Sequence, residues 1–164
     1  MSQMVISELI QVLPQVGQVS WLGVRPARGA PMLTPIEVMA TAGQGLVGDR
    51  FSARRTTREV TLIQAEHIAA VAALLQREPV DPGILRRNIV VSQLNLLALK
   101  DSEFSVGGVV LAYTGLAHPC SKMEQALGAG GYNAMRGHGG ITARILQSGV
   151  IRLGDAVRRI GPAK

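Results

Sequence analysis

The chain has 164 residues, of which 47% are hydrophobic and only 17% charged. This composition excludes a disordered polypeptide and predicts a single domain, residues 1–164, with a substantial core. The formal net charge of +6 is carried mostly by arginine, whose planar guanidinium group favours bidentate binding of phosphate or carboxylate.

The single cysteine excludes an internal disulfide, and the first residues lack the basic segment of a signal peptide. No apolar run reaches membrane-spanning length. We therefore expect a cytoplasmic protein without membrane contact. Aromatic residues make up only 3% of the chain and no nucleic-acid-binding signature occurs, so nucleic acid is not an expected partner.

The pattern of apolar residues and turn formers predicts many short strands and one substantial helix. Residues 4–13 are expected to form a short amphipathic helix or an extended arm, and 64–76 a regular helix. A polar loop is expected at 50–60 and a helical turn at 81–87. Strands are predicted at 17–25, 35–42, 60–63, 88–92, 95–99, 103–108 and 109–115, and the segments 141–149 and 151–161 close the chain. The expected fold is mainly β, a barrel or a sandwich.

The only cysteine, Cys120, lies in the segment HPCSKMEQ, residues 118–125. Pro119 suits an early helical position, so the positive end of a helix would lie near the sulfur, with His118 and Lys122 adding positive potential. Such surroundings favour a thiolate, which is a nucleophile and a metal ligand. Equally, Cys120 could be a small buried hydrophobic residue. The local sequence leaves both interpretations open.

Three other segments are candidates for binding. The glycine-rich stretch 128–141 contains Arg136 and His138 and could hold an anionic group with backbone N–H donors, or could be a plain turn. Arg86, Arg87 and Asn88 precede an apolar strand. Asp49 and Arg50 follow a glycine turn, where an aspartate also has a simple turn-forming role.

Taken in order, these segments resemble the MOSC domain family, named after the C-terminal part of molybdenum-cofactor sulfurase. The resemblance runs from about Trp21 to Val157 and rests on GLVGDRF, RRNIVVS, NLLAL, the F-x-VG and TG pieces, PCSKME, RGHGGITARIL and GD. It implies a stand-alone, bacterial-type member with a mainly β, barrel-like fold (a PK β-barrel-like architecture) and a few peripheral α-helices. It also implies association with the molybdenum cofactor, a pterin dithiolene that carries a phosphate.

The resemblance assigns roles to individual residues. Cys120 matches the signature cysteine, which in relatives carries sulfur as a persulfide or binds molybdenum directly. Arg86 and Asn88 match an Arg-x-Asn element, with Arg87 between them, and imply cofactor binding. The other matching motifs contain Asp49 and Lys122, expected at the cofactor, and Arg136 and His138, expected to act on the substrate oxygen.

Departures from the family pattern shape the functional hypothesis. Some relatives have Cys-x-Arg-Cys where this chain has Cys120, Ser121, Lys122 and Met123, so a mechanism that needs two thiols is not expected. An aminotransferase-like segment is absent from these residues, so pyridoxal phosphate is not an expected cofactor. Electrons or sulfur would come from a redox or sulfur-donor protein, or from a second copy of the chain in a homo-oligomer.

The leading hypothesis is a molybdenum-cofactor-binding domain that acts through Cys120. It would serve as a sulfur or cofactor carrier, or as a reductase of small N-hydroxylated compounds. The alternative is a non-catalytic binding or regulatory module for a partner protein or, less in keeping with the composition, for RNA.

Overall fold

The computed structural model describes residues 3–50 and 57–164, and within them a closed barrel of seven strands forms the centre of the fold. Around the barrel the strands follow the order β1-β10-β6-β7-β8-β4-β5. Their bounds are β1 Gly17–Leu22, β4 Val60–Gln64, β5 Ile89–Ser92, β6 Ser102–Val106, β7 Val109–Leu116, β8 Ile141–Gln147 and β10 Ala156–Pro162. This confirms the prediction of a mainly β, barrel-like fold.

A small second sheet and several short helices surround the barrel. The sheet has the order β3-β2-β9, with β2 Glu37–Thr41, β3 Gly45–Leu46 and β9 Gly149–Arg152. The helices are α1 Ile6–Leu9, α2 Ala65–Leu74, α3 Ser121–Leu127 and α4 Gly131–Met135, with 3₁₀ turns at Pro82–Leu85 and Leu96–Leu99. None of the helices in the described part of the chain is long and apolar enough to span a membrane.

The strands β4 and β5 pair in parallel, and α2 crosses over between them. A parallel pair needs such a crossover, and it is normally covered on both faces. Leu62 and Ile89 accordingly face the barrel interior, whereas Ile63 and Val90 pack under the helices. Burial on both faces explains why these two strands read as continuous apolar runs instead of alternating.

The structure differs from the sequence predictions in two segments. The segment 95–99 was predicted to be a strand, which is wrong: it is a 3₁₀ turn, begun by Asn95, whose side chain accepts a hydrogen bond from the Leu97 N–H at 3.2 Å. Leu96 and Leu99, three residues apart, are both buried by this turn. The glycine-rich segment contains α4 as well as loop. The structure does not describe residues 51–56. Part of the predicted polar loop 50–60, and Phe51 of the GLVGDRF motif, therefore lie outside the described residues.

The glycine-rich segment packs directly against the barrel backbone. A side chain at Gly140 would collide with the carbonyl oxygen of Leu62, and one at Gly139 with that of Ala117. Gly140 also has φ +88°, a conformation that other residues rarely adopt. These glycines therefore allow close packing of the segment on β4 and on the chain before Cys120.

Arg87 connects three separate parts of the chain. Its guanidinium group is buried and donates to the carbonyl oxygens of Gly139 at 2.8 Å, Leu85 at 3.1 Å and Ala117 at 3.2 Å. The start of β5, the end of β7 and the glycine-rich segment are thus fixed to one another. Since Ala117 lies three residues before Cys120, this bond also positions the cysteine.

We predict that Gly140→Ala destabilises the fold strongly, because the added methyl group meets backbone that cannot move away. The expected loss in free energy of unfolding is about 3 kcal/mol or more. Gly130→Ala is the matched control: Gly130 has φ +87° and open space around its α-carbon, so that only the backbone strain of about 1–2 kcal/mol applies. Equal losses in urea denaturation would contradict this account of the packing.

We predict that Arg87→Met lowers the free energy of unfolding by about 3 kcal/mol, since buried carbonyl groups lose their donor. The adjacent Arg86 is only half-buried and has no side-chain hydrogen bond within residues 3–50 and 57–164. Arg86→Met should therefore change stability by less than about 1 kcal/mol. Similar thermal and urea unfolding of the two variants would show that the Arg87 network is not structural.

Candidate functional site

Cys120 lies in a cationic cleft at the surface of the barrel. The cleft has a volume of about 220 Å³ and is lined by Arg25, Arg86, Arg87, His118, Cys120, Lys122 and Met123. Loops and element ends supply these residues: the chain after β1, the turn before β5, and the start of α3. No acidic residue lines it among those that the structure describes.

The cysteine itself is exposed, which excludes the interpretation of Cys120 as a buried packing residue. Its backbone is extended, with φ −133° and ψ 179°, and its carbonyl oxygen accepts the Met123 N–H at 2.9 Å as α3 begins. Met123 is buried, so α3 is held against the body of the protein and carries the thiol at its exposed start.

Arg87 faces the cysteine from the interior. Burial lowers the pKa of Arg87 to about 10, and the neighbouring Cys120 side chain opposes this shift. Because the guanidinium group already donates to three carbonyl oxygens, its contribution at the cleft is mainly positive potential.

A smaller polar pocket of about 110 Å³ adjoins the cleft, and Arg25 and Arg86 line both. The Nε of Arg25 is buried and has no hydrogen-bond partner within residues 3–50 and 57–164. A buried donor without a partner is costly and is uncommon in native proteins. The remaining lining residues of this pocket are Met32, Asp49, Arg58, Glu59, Thr61 and Asn88.

Three arginines and two carboxylates line this pocket, so positive charge exceeds negative charge in it. Burial lowers the pKa of Arg25, and the nearby positive charge of Arg86 lowers it further, while Asp49 opposes both. Arg86 also has a left-handed backbone, φ +61°, which is uncommon for a residue other than glycine. An anion bound between the two guanidinium groups would relieve their repulsion.

Asp49 and Asn88 hold the walls of this pocket. The Asp49 carboxylate accepts the Arg25 N–H at 2.8 Å, and burial raises the pKa of that carboxyl group although this hydrogen bond opposes the shift. The Asn88 side chain accepts from the Thr61 N–H at 3.0 Å and donates to the Gly23 carbonyl at 3.1 Å. Asn88 thus ties the end of β1 to β4 while lining the pocket.

The structure does not bring Arg136 and His138 into the lining of the Cys120 cleft. Arg136 is exposed and contacts Asn133 at 3.4 Å. His138 packs edge-on against His67 of α2, with ring centroids 5.0 Å apart, and its Nδ1 is 2.9 Å from the Ala134 carbonyl oxygen. His138 therefore attaches the glycine-rich segment to α2, whereas the Arg136 contact lies within the segment.

The glycine-rich segment also binds a carboxylate of its own chain. Both oxygens of Glu124 accept backbone N–H groups, from Gly130 and Tyr132, each at 2.8 Å. These bonds lower the pKa of Glu124. Because these donors are occupied, they are not free for an external anion.

The sequence interpretation included Arg86, Arg87, Asn88, Asp49, Lys122 and Cys120, and the structure places all six along the two adjoining pockets. It missed Arg25 as a lining residue of the cleft, together with Arg58 and Glu59 of the smaller pocket. His118, which the sequence interpretation had placed beside the sulfur as a source of positive potential, lines the cleft. Arg25 follows β1 immediately, at the start of a Pro/Gly loop, and that position was the available signal. The described residues contain no cluster of three or more His, Cys, Asp or Glu side chains suited to a metal ion.

We predict that Asp49→Asn becomes more stable relative to the natural protein as the pH rises from about 4, the ordinary pKa of an aspartate, through the raised pKa of the native carboxyl group. Because its pKa is raised, the Asp49 carboxyl group keeps its proton to a higher pH in the native protein than in the unfolded chain. The stability that this proton binding gives to the native protein is lost as the pH rises through the native pKa. Asparagine keeps the acceptor oxygen for the Arg25 N–H. Urea denaturation at several pH values measures this difference, and a difference that does not vary with pH would contradict the burial effect.

Comparisons with known proteins are consistent with this architecture. The fold is similar to that of the YuaD protein from Bacillus subtilis, with a TM-score of 0.75 at 17% identity, covering 89% of this chain and 97% of that one. It is also similar to YiiM from Escherichia coli, with a TM-score of 0.67 at 16% identity, covering 93% of this chain and 72% of that one. YiiM from Geobacillus stearothermophilus gives 0.65 at 16% identity, covering 88% and 75%.

At these identities the similarity shows the fold alone, and no sequence among the curated proteins matches the chain. A family model described as MOSC domain matches residues 42–158, well over half of the chain, and confirms the resemblance seen in the motifs. The chain therefore belongs to the MOSC domain family.

Proposed function

We propose that this protein binds the molybdenum cofactor with Cys120 as the sulfur ligand of the metal and with the two adjoining pockets holding the phosphorylated pterin. Membership in the MOSC family supports a role associated with this cofactor in general. One observation supports direct binding of the cofactor by this cleft: the exposed Cys120 thiol lies in it together with three arginines. One of these arginines, Arg25, has a buried Nε without a partner within residues 3–50 and 57–164.

The donor set fits this cofactor. A thiolate is a soft ligand of the kind that binds thiophilic metals, and guanidinium groups match the geometry of a phosphate. Arg25 and Arg86 would hold the phosphate in the smaller pocket, whose walls are fixed by Asp49 and Asn88. Lys122 would add a mobile positive charge at the mouth of the cleft.

As an enzyme, the protein would reduce small N-hydroxylated compounds. The bound cofactor would supply the two electrons that convert an N–OH group and two protons into N–H and water. His118 lines the cleft with Cys120 and would donate a proton to the leaving oxygen. This role replaces the one predicted for Arg136 and His138, which lie outside that lining. A redox partner protein would return the electrons.

A carrier function would use the same residue differently. Cys120 would then hold a persulfide, whose terminal sulfur lies among the same positive charges. The purified protein would contain molybdenum and pterin if Cys120 binds the metal, and a persulfide without metal if the protein is a carrier. Analysis of its contents therefore distinguishes the two functions.

We predict that the protein from a host able to make the cofactor contains molybdenum and pterin, and that Cys120→Ser lowers the molybdenum content about 10- to 100-fold. Arg25→Gln and Arg86→Gln should lower the content of both metal and pterin. Arg158→Gln is the matched control, since Arg158 is an exposed cation on β10, outside the two pockets.

Elemental analysis and fluorescence of the oxidised pterin measure these contents. Molybdenum at the natural level in Cys120→Ser would contradict ligation by the cysteine. Intact mass gives the second result: an adduct of about 32 Da on Cys120 that a reductant removes, without bound metal, would identify the carrier. A stable partner protein that binds Cys120→Ala equally well, with no cofactor, would favour the non-catalytic binding module.

A further inference from the structure

A third pocket adjoins the Cys120 cleft at His118, which lines both. Its volume is about 130 Å³, and apart from His118 none of its lining residues borders the two pockets that would hold the cofactor. Three segments form its walls: the end of β7 with the chain that follows, the loop before β8, and the 3₁₀ turn Leu96–Leu99. Cofactor binding alone therefore leaves this pocket without a role.

The pocket is apolar, whereas the neighbouring cleft is cationic. Leu97 and Leu116 line it although they are 43% and 42% exposed, and Pro119 adds further apolar surface. A single exposed apolar side chain is ordinary on a protein surface, but here two large ones border the same pocket. Among the residues that the structure describes, His118 is its only ionisable lining residue. The lining therefore suits an uncharged group.

Hydrogen bonds hold the walls of this pocket in place. The Ala117 N–H donates to the Gly140 carbonyl at 2.9 Å, which joins the end of β7 to the loop before β8. The carbonyl oxygens of Ala117 and Gly139 both accept from the Arg87 guanidinium group, at 3.2 and 2.8 Å. The pocket is thus formed without a ligand, as small-molecule sites usually are.

The volume of the pocket limits the size of the group that it can take. Complete small-molecule sites span about 300–1,000 Å³, so a pocket of about 130 Å³ holds only part of a ligand. A protein cavity of about 150 Å³ lined by aliphatic and aromatic side chains binds one molecule of benzene. The pocket therefore matches one five- or six-membered ring, and the rest of the ligand would extend past His118 into the cleft.

We propose that this pocket binds an uncharged ring of the substrate, and that the protein acts on N-hydroxylated compounds whose N–OH group is attached to a single ring. The ring lies against Leu97 and Leu116, and the N–OH group lies beside His118 in the Cys120 cleft. The proposal rests on the proposed function, because it names the substrate class of the same site.

The first test measures the binding of N-cyclohexylhydroxylamine and N-methylhydroxylamine to protein without cofactor, by ligand-observed NMR at a pH where both compounds are uncharged. We expect the ring compound to bind at least tenfold more tightly, because its carbon atoms leave water on binding. Cys120→Ser should keep this preference, so the test is independent of the bond between Cys120 and molybdenum. Equal affinities for the two compounds, or no binding of the ring compound, would overturn the proposal.

The second test changes the wall of the pocket. Leu97 is the exposed residue of a turn whose Leu96 and Leu99 are buried, so Leu97→Ala removes apolar wall while the turn stays anchored. It should weaken binding of the ring compound about fivefold and leave the methyl compound unaffected. Leu153→Ala is the matched control, since Leu153 is 45% exposed and lies outside the lining of the pocket. The same affinity for the ring compound in both variants would contradict the assignment.

The third test separates failure of the pocket from failure of the proposed function. It uses protein loaded with cofactor, an artificial reductant and the same two compounds, and we expect kcat/KM to be at least tenfold higher for the ring compound. Reduction of both compounds with equal kcat/KM would overturn the pocket and leave the reductase function standing. Reduction of neither, with the preference in binding retained, would contradict the reductase function and leave the pocket as a binding site for ring compounds.

Discussion

The buried guanidinium group of Arg87 is the constraint on which the geometry of the cleft depends. A buried charge costs several kcal/mol unless hydrogen bonds compensate for it, and here three carbonyl oxygens from three parts of the chain do so. One of these oxygens belongs to Gly139, whose lack of a side chain permits the close approach to Ala117. The chain that leads to Cys120 is thus held by a charged network, while the thiol itself stays exposed.

That network also sets the sign of the potential around the sulfur. Arg87 lies on the interior side of Cys120, and Arg25 and Arg86 on the side of the small pocket. Burial, and after it the charge of Arg86, lowers the pKa of Arg25, and the Nε of Arg25 has no partner in the part of the chain that the structure describes. Proteins commonly retain such local strain where a ligand relieves it. This buried, unpartnered donor supports the proposal that the cleft binds an anionic ligand.

Much of the fold could be predicted from the sequence, because apolar periodicity and glycine turns report directly on strands. The 3₁₀ turn Leu96–Leu99 could not, since a short apolar run has no periodicity of its own and only the cap by Asn95 distinguishes it from a strand. Motif order singled out Cys120 and Arg86, which the structure brings into one cleft. Arg136 and His138 were expected beside Cys120 but do not line its cleft, because sequence proximity to a signature does not show which way a glycine-rich segment folds. Arg25 was missed because its importance comes from burial beside Asp49, 24 residues away.

In the proposed function the Cys120 side chain binds molybdenum directly. Because this is the only cysteine in the chain, replacing cysteine by selenocysteine during expression labels position 120 alone. X-ray absorption at the molybdenum edge of the loaded protein then tests the bond. Direct ligation predicts a selenium neighbour of molybdenum that is absent from unlabelled protein. Bound molybdenum with no selenium neighbour in the fully labelled protein would contradict it.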